Sequence, residues 1–194
     1  MTYCEYLNTV TGENLALHKE YHDNHYGFPV YDDDKLFERL MCEINQAGLN
    51  WILILKKQNN FRKAFDNYRV EKVAAYDDKD ILRLMSDEGI ISNRLKINAA
   101  IANASVILKI QRESGSFSNW LECHSATIMT LQEWTRLFKK TFKFTGGEIV
   151  NEFMMSIGYL PGAHSTDCPV YGKIIEIKRR NEKERQGSDR NKCD

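Results

Sequence analysis

Only three prolines, at positions 29, 161 and 169, interrupt a chain of 194 residues. Proline ends or kinks helices, so the long stretches without it can remain helical. Apolar residues recur at three- and four-residue spacing along most of these stretches, and no segment shows the strict alternation of a half-buried strand. The sequence therefore predicts an all-α fold.

The periodicity predicts helices over residues 34–46, 93–114, 131–140 and 148–158, and three shorter helices between 59 and 89. In the longest helix, five apolar residues are predicted to face the core: Leu95, Ala99, Ala102, Val106 and Ile110. The apolar run NWILILKK at 50–57 fits either a strand or a buried helix, because it is too short for periodicity to decide.

Composition excludes several classes of protein. The formal net charge is zero, which argues against a strongly basic nucleic-acid coat but leaves room for one basic face. No apolar run approaches membrane-spanning length, and the start MTYCEYLNTV lacks the features of a signal peptide. We therefore expect a cytoplasmic protein that has no membrane partner.

Glu43 occupies an unusual position on the helix at 34–46. At about 100° per residue, it lies within about 20° of Leu36 and about 40° of Ala47, at the edge of the apolar arc. A carboxylate there either reaches water along the helix or faces a cavity, since burial without partners is costly. Trp51 follows shortly afterwards, and an aromatic ring beside a carboxylate suits a flat, electron-poor ligand.

Cysteine and histidine occur near both ends of the chain. His164 and Cys168 are four residues apart, and Cys4 and His22 could complete a closed, tetrahedral zinc site. The alternative is two unrelated thiols and two surface histidines. Three other histidines are rival ligands that composition does not eliminate: His18, His25 and His124.

The stretch LFKKTFKFTGGEIVNEF at 137–153 predicts two helices that flank a glycine-ended turn. Backbone N–H groups at such a turn and at the following helix start can bind a DNA phosphate without reading sequence. Lysines surround this turn at positions 139, 140 and 143. An ordinary corner between helices with solvated lysines is the alternative.

Several stretches together resemble the DNA-3-methyladenine glycosylase I family. The resemblance covers residues 1–172 and depends on the order and spacing of its motifs. The motifs are Cys4, YHDNHYGFPVYDDDKLFERL (21–40), EINQAGLNWILILKKQNNFRKAF (43–65), GIISNRLKINAAIANA (89–104), GSFSNWL (115–121), FKFTGGEIVNEFMMSIGYL (142–160) and HSTDC (164–168).

The resemblance implies a helix-hairpin-helix glycosylase fold whose hairpin corresponds to 142–147. It implies one structural zinc ion per chain, on Cys4, His22, His164 and Cys168, which ties the termini together. It implies a helical glycosylase domain over 1–172, which could comprise two lobes around a base pocket, and a charged C-terminal tail over 173–194.

The resemblance also implies roles for single residues. Glu43 matches the base-contacting glutamate, expected here as the ionised acceptor of the flipped base, while Tyr21 and Trp51 match aromatic residues of the base pocket. The segment Gln46–Leu49, with Gly48, matches the turn that fills the DNA where the base has left. At the hairpin, the DNA-binding residues implied are Lys143, Thr145, Gly146 and Gly147.

This chain departs from the family pattern at three base-pocket positions. Tyr6 and Tyr26 replace tryptophans and retain an aromatic face. His18 replaces a tyrosine, and it is smaller and titratable, which puts the lesion range in question. The water-activating aspartate of many helix-hairpin-helix glycosylases is also absent, which fits a substrate whose base is already a good leaving group.

The resemblance therefore implies a monofunctional DNA repair enzyme that removes 3-methyladenine from double-stranded alkylated DNA and leaves an abasic site. We expect a monomer. Two alternatives remain: a non-catalytic lesion-binding protein of the same fold, or a zinc hydrolase of unrelated substrate. The latter needs an open metal position, which a set of four ligands does not leave.

Overall fold

The computed structural model describes residues 2–127 and 130–186, and its regular structure there is helical, with no strand. One 3-10 turn, Asp66–Tyr68, separates the fourth and fifth helices. None of the described helices has the length and apolar character that crossing a membrane requires. The helices are α1 Tyr3–Leu7, α2 Glu13–Asn24, α3 Asp33–Gln46, α4 Trp51–Ala64, α5 Val70–Ala74, α6 Asp78–Met85, α7 Arg94–Ser114, α8 Phe117–Ser125, α9 Leu131–Thr141, α10 Gly147–Ser156 and α11 Pro169–Gln186.

The chain divides into two compact units. Residues 31–153 form the central unit, and the segments up to 30 and from 154 form the terminal unit. The division falls within α10, so this helix contributes residues to both units.

Helix α3 forms as its sequence pattern predicts. Asp32 begins it, because its carboxylate accepts a hydrogen bond from the Lys35 backbone N–H at 2.9 Å. Five residues of the predicted apolar face are completely buried in the structure: Leu36, Phe37, Leu40, Met41 and Ile44. This face anchors the core of the central unit, and it sets the orientation of Glu43 on the same helix.

The ambiguous run at 50–57 is helical. Asn50 caps α4 by accepting a hydrogen bond from the Ile52 N–H at 3.2 Å, and the helix continues to Ala64. The prediction of a separate short helix at 59–68, the first of the three expected, is therefore wrong. Most of it belongs to α4, and the chain then passes through a left-handed turn in which Asp66, Asn67 and Tyr68 all have positive φ.

Helix α7 is confirmed, but its predicted buried stripe is only partly correct. Ala99 and Ile110 are buried, whereas Leu95 is 68% exposed. The most deeply buried apolar residues are Ile97, Ala100, Ala104 and Ile107. The error arises because Lys96, which a polarity pattern assigns to solvent, is buried through its hydrogen bonds to backbone carbonyls.

Helix α11 runs through the expected boundary between domain and tail at residue 172. Ile174 is buried, and the Lys178 ammonium donates a hydrogen bond to the Gly158 carbonyl at 2.5 Å, within the terminal unit. The first part of the expected tail thus packs against its own unit. The remainder of that tail, residues 187–194, lies outside the described residues.

Candidate functional site

Four ligand-type side chains converge in the terminal unit. The Cys4 Sγ lies 3.3 Å from the His22 Nε2, and the two imidazole nitrogens, His22 Nε2 and His164 Nδ1, are 3.1 Å apart. The Cys168 Sγ lies 3.8 Å from His22 and 3.7 Å from His164, and all four ligand atoms fall within 4.8 Å of one another. Ligands held at 2.0–2.3 Å from a tetrahedral centre are spaced by about 3.3–3.8 Å, so this donor set can hold a metal ion.

The partners around the cluster fix the orientation of its ligands. The second nitrogen of His22, Nδ1, lies 2.7 Å from the Asp23 carboxylate, and that of His164, Nε2, lies 2.7 Å from the Tyr26 carbonyl. The Ser165 backbone N–H donates to the Cys4 sulfur at 3.5 Å. Oriented imidazoles of this kind are typical of metal sites, because the outer hydrogen bond selects the nitrogen that faces the ion.

The rival histidines lie outside this cluster. His18 is buried against Tyr3, His25 is paired with the exposed Glu20 at 3.6 Å, and His124 lies 2.8 Å from the Trp120 carbonyl in the central unit. The alternative of two unrelated thiols and two surface histidines is wrong, since His22 and His164 are buried side by side.

The aromatic residues predicted in the terminal unit form one group, and Tyr3 lies at its centre. The Tyr3 ring centroid is 5.3–6.1 Å from those of Tyr6, His18, Tyr21 and Tyr26. The rings of Tyr6 and His18 are 5.2 Å apart, and those of Tyr21 and Tyr26 are 5.6 Å apart. The structure thus brings together the four predicted aromatic positions of this unit.

His18 is held as a neutral imidazole within that group. The Tyr3 hydroxyl lies 2.7 Å from its Nδ1, and burial lowers the pKa of His18 below its ordinary value of 6.5. At pH 7 this position therefore presents a flat, uncharged aromatic ring, as a tyrosine would.

Glu43 in the central unit is 4% exposed, which excludes the solvated surface position. Burial, followed by repulsion from Glu152 on α10, raises the pKa of Glu43 to about 8, while Arg39 opposes the shift. In the free protein this carboxyl is therefore mainly protonated at pH 7. A cation placed beside it would favour the ionised form, because opposite charge offsets the cost of desolvation.

The segment from Gln46 to Leu49 forms a tight turn between α3 and α4. The Leu49 N–H donates to the Gln46 carbonyl at 2.7 Å, and the Gln46 side chain donates back to the Leu49 carbonyl at 3.1 Å. Gly48 has a φ of +79°, which a residue with a Cβ rarely adopts. Leu49 remains 37% exposed at the tip of this turn, and Trp51 is the half-buried first residue of α4.

The predicted hairpin joins α9 to α10 through a turn at 142–147. Thr145 is buried, and its hydroxyl donates to the Phe142 carbonyl at 3.3 Å. Lys143 is exposed, and a Cβ added to Gly146 would meet no atom within 4 Å. Helix α10 begins at Gly147, so the N–H groups of its first turn have no partner within the helix.

Sequence reasoning missed Tyr3, Lys96 and Asn103. Tyr3 stands three residues before Tyr6, a spacing that places both on one face of α1, and this signal could have identified it. Lys96 and Asn103 interrupt the apolar pattern of α7 seven residues apart, and this regular interruption could have marked both as buried polar residues.

Comparisons with known proteins agree with this arrangement. A family model described as methyladenine glycosylase matches residues 11–136. DNA-3-methyladenine glycosylase 1 of Escherichia coli (strain K12) is 36% identical over 172 residues, which covers 80% of this chain and 91% of that protein. DNA-3-methyladenine glycosylase of Haemophilus influenzae is 32% identical over 171 residues, covering 79% and 92%.

A solved structure gives the same result at the level of the fold. The structure of 3-methyladenine DNA glycosylase I from Staphylococcus aureus, which concerns 3-methyladenine recognition, superposes with a TM-score of 0.76 at 32% sequence identity. The superposition covers 88% of this chain and 98% of that one. With a family match over more than half of its length and relatives that align over most of theirs, this chain belongs to the methyladenine glycosylase family.

Proposed function

We propose that this chain hydrolyses the N-glycosidic bond of 3-methyladenine in double-stranded alkylated DNA, as a base-excision repair enzyme that acts as a monomer. Membership of the family supports the reaction. The observation that carries the assignment is the buried carboxyl of Glu43 on a face of α3 whose other buried residues are mostly apolar, where burial of a carboxyl is costly.

The chemistry of the lesion explains what the protein must supply. An adenine alkylated at N3 is cationic, so the electrons of its bond to the sugar pass readily into the ring and the base leaves as a neutral molecule. Water adds to the sugar carbon and loses one proton to solvent. The enzyme must therefore extrude the base, hold it and exclude intact adenine. Glu43 provides the selection, because its ionised form accepts hydrogen bonds from a cationic base more strongly than from a neutral one.

The hydrogen bonds of the buried Lys96 in the central unit are consistent with a monofunctional reaction. A glycosylase that also cuts the DNA strand needs an amine nucleophile, whereas the Lys96 ammonium donates hydrogen bonds to two backbone carbonyls. Two of its three N–H donors are thus engaged in structure. We expect the product to be an abasic site.

We assign the aromatic residues to base stacking because of the chemistry of their side chains. In the terminal unit these residues are Tyr6, His18, Tyr21 and Tyr26, and in the central unit the residue is Trp51. An aromatic face attracts a cationic ring more strongly than a neutral one, so stacking and Glu43 favour the same substrate. Because His18 is neutral at pH 7, it adds no positive charge that would repel the lesion.

The Cys₂His₂ cluster would hold one structural zinc ion. The ligand spacing and the two outer hydrogen bonds on His22 and His164 support this assignment. Four protein ligands leave no position for water or substrate. We therefore assign this ion to stability rather than to chemistry.

The turns at 46–49 and 142–147 would contact DNA. In the hairpin turn, the N–H groups at Thr145, Gly146 and Gly147 are candidates for one phosphate, with Lys143 adding charge. In the other turn, the exposed Leu49, supported by Gln46 and Gly48, would fill the space of the extruded base.

Release of free 3-methyladenine from methylated duplex DNA tests the proposal directly. The purified protein should release that base under single-turnover conditions and should leave intact adenine in place. Tight binding to the lesion with no released base would instead identify a non-catalytic binder of the same fold.

A further inference from the structure

Helix α7 of the central unit carries two buried polar side chains that each bind a different turn. Lys96 is 6% exposed and Asn103 is fully buried. Among the contacts of the described residues, each side chain makes hydrogen bonds only to backbone atoms, those of Lys96 to Asn45 and Ala47 and those of Asn103 to Lys143. These two turns are the ones that the proposed function assigns to DNA.

Lys96 closes the end of α3. Its ammonium donates to the carbonyls of Asn45 and Ala47, both at 2.8 Å, and these lie among the carbonyl groups that a helix end leaves without partners. Ala47 itself belongs to the turn that presents Leu49. Burying a lysine is costly, and burial lowers the pKa of Lys96, so an apolar side chain here would serve packing alone better.

Asn103 holds the hairpin turn in the same manner. Its Oδ1 accepts the Lys143 backbone N–H at 2.7 Å, and its Nδ2 donates to the Lys143 carbonyl at 3.1 Å. Both backbone groups of one turn residue are thereby satisfied by one side chain. Phe144 follows immediately with a φ of +65°, an unfavourable conformation that needs support from its surroundings.

The two side chains share one face of one rigid element. They are seven residues apart, which in an α-helix corresponds to a separation of about 10 Å along the axis and about 20° around it. Because α7 is an uninterrupted helix, the two segments that these side chains bind are kept at a corresponding separation. The distance between the two turns is therefore set by α7 rather than by the loops themselves.

We infer that Lys96 and Asn103 are positioning residues that hold the base-replacing turn and the phosphate-binding turn at a fixed separation. This inference rests on the proposed function, since that function assigns both turns to DNA. Each of these side chains, with its hydrogen bonds to the backbone, forms one clamp, and loss of either clamp has its own consequence. Lys96 acts through the turn that accompanies base extrusion, whereas Asn103 acts through a turn that binds any duplex.

Amide hydrogen exchange of the free protein tests the clamps without reference to activity. Lys96→Met and Asn103→Leu retain most of the side-chain volume and remove the hydrogen bonds. Exchange should accelerate about tenfold or more at 46–49 in Lys96→Met and at 143–147 in Asn103→Leu, with little change at the other turn. If either variant fails to fold, Lys96→Gln or Asn103→Asp, which keep a polar group, replaces it.

Single-turnover excision then separates positioning from general stability. Lys96→Met should lower the saturating excision rate about tenfold, with half-saturation changed by less than about twofold. Asn103→Leu should show the reverse, with undamaged and damaged duplex bound about tenfold more weakly. Gln111→Met is the matched control, because it removes a hydrogen bond from the same helix, to Asp33 at 2.7 Å, and should alter neither parameter.

Faster exchange at both turns in both variants, or at neither, would overturn the inference. Selective exchange with equal losses in rate and binding for both variants would overturn it as well, because a structural role predicts that pattern. A wild-type protein that releases no base would instead overturn the proposed function, and the exchange data would still decide whether the clamps hold their turns.

Discussion

Glu43 combines two properties that a side chain chosen for packing would not have. It lies among apolar side chains on α3, and Glu152 adds a second negative charge nearby. Both features make its ionised form unfavourable in the free protein. Burial of this carboxyl therefore costs stability, which supports its proposed role in recognition, and two predictions concern its charge.

Glu43→Gln keeps the shape of the side chain and removes its capacity for negative charge. Hydrogen bonds to a charged group contribute about 1.5–3 kcal/mol, so we expect single-turnover excision of 3-methyladenine to fall roughly tenfold to a hundredfold. The loss should not be complete, because the cationic base leaves readily once extruded. Excision at the wild-type rate by a folded variant would show that this carboxyl takes no part in recognition.

Stability should depend on pH through the same residue. The ordinary pKa of the glutamate side chain is 4.5, and its pKa in the folded protein is about 8. Between these values the folded state retains a proton that the unfolded chain has released, so this contribution to stability is complete below pH 4.5 and is lost as pH rises to about 8.

Urea unfolding of wild-type protein and Glu43→Gln between pH 6 and 8.5 measures this effect. The glutamine variant should become the more stable protein as pH rises, with the difference growing by at most about 1.4 kcal/mol per pH unit up to about pH 8. The two proteins differ only at residue 43, so the contributions of all other ionisable groups cancel in the difference. Parallel stability curves would contradict the raised pKa of Glu43.

At the scale of elements, two interactions hold the α9–α10 corner, and Gly146 leaves space beside it. Phe142 ends α9 and is buried, Asn103 satisfies the backbone of Lys143, and the absence of a Cβ at Gly146 leaves open space at the turn. A phosphate that bound the N–H groups of this turn would need that space to approach them closely. The exposed Lys143 side chain contributes positive charge at the turn and does not determine the conformation of the turn.

Lys143→Ala should therefore weaken binding to all duplexes alike. We expect the dependence of log Kd on log salt concentration to become shallower by about one unit or less, because one phosphate contact is lost. Binding of damaged and undamaged duplexes should be measured from low to moderate salt. Lys109→Ala, an exposed lysine on α7, provides the control, and an effect of Lys143→Ala confined to lesion preference would contradict the assignment.

At the scale of the whole molecule, the Cys₂His₂ cluster joins segments that are far apart in the chain. Cys4 and His22 precede the central unit in sequence, and His164 and Cys168 follow it. A metal ion bound by these four ligands would remove conformational entropy from the unfolded chain, and its binding would add to the free energy of folding.

Cys168→Ser should thus act on stability more than on chemistry. Metal analysis should find about one zinc ion per wild-type chain and less in the variant. For a chain of this size, each kcal/mol lost lowers Tm by about 2–4 °C, so a measurable fall is expected while excision below Tm is retained. His25→Ala, which alters a histidine outside the cluster, is the control. Metal-free wild-type protein of unchanged Tm would contradict a structural zinc.

Much of the helical framework could be predicted from sequence because its determinants are local. Asp32, Asn93 and Thr130 each cap a helix through hydrogen bonds within three residues, and apolar spacing identifies the helices that follow. The four-residue spacing of His164 and Cys168 is likewise a local signal. The position of Glu43 at the edge of an apolar arc was also readable from helical periodicity alone.

The features of the fold and of the candidate site that could not be predicted depend on contacts between residues far apart in the sequence. Lys96 is buried and its neighbour Leu95 exposed because carbonyls about 50 positions earlier in the chain bind the ammonium, and no local pattern contains that information. The protonation of Glu43 depends on Glu152, which lies on another helix. Likewise, the selection of His22 over His18 and His25 required the fold, because only folding brings one of these imidazoles beside His164.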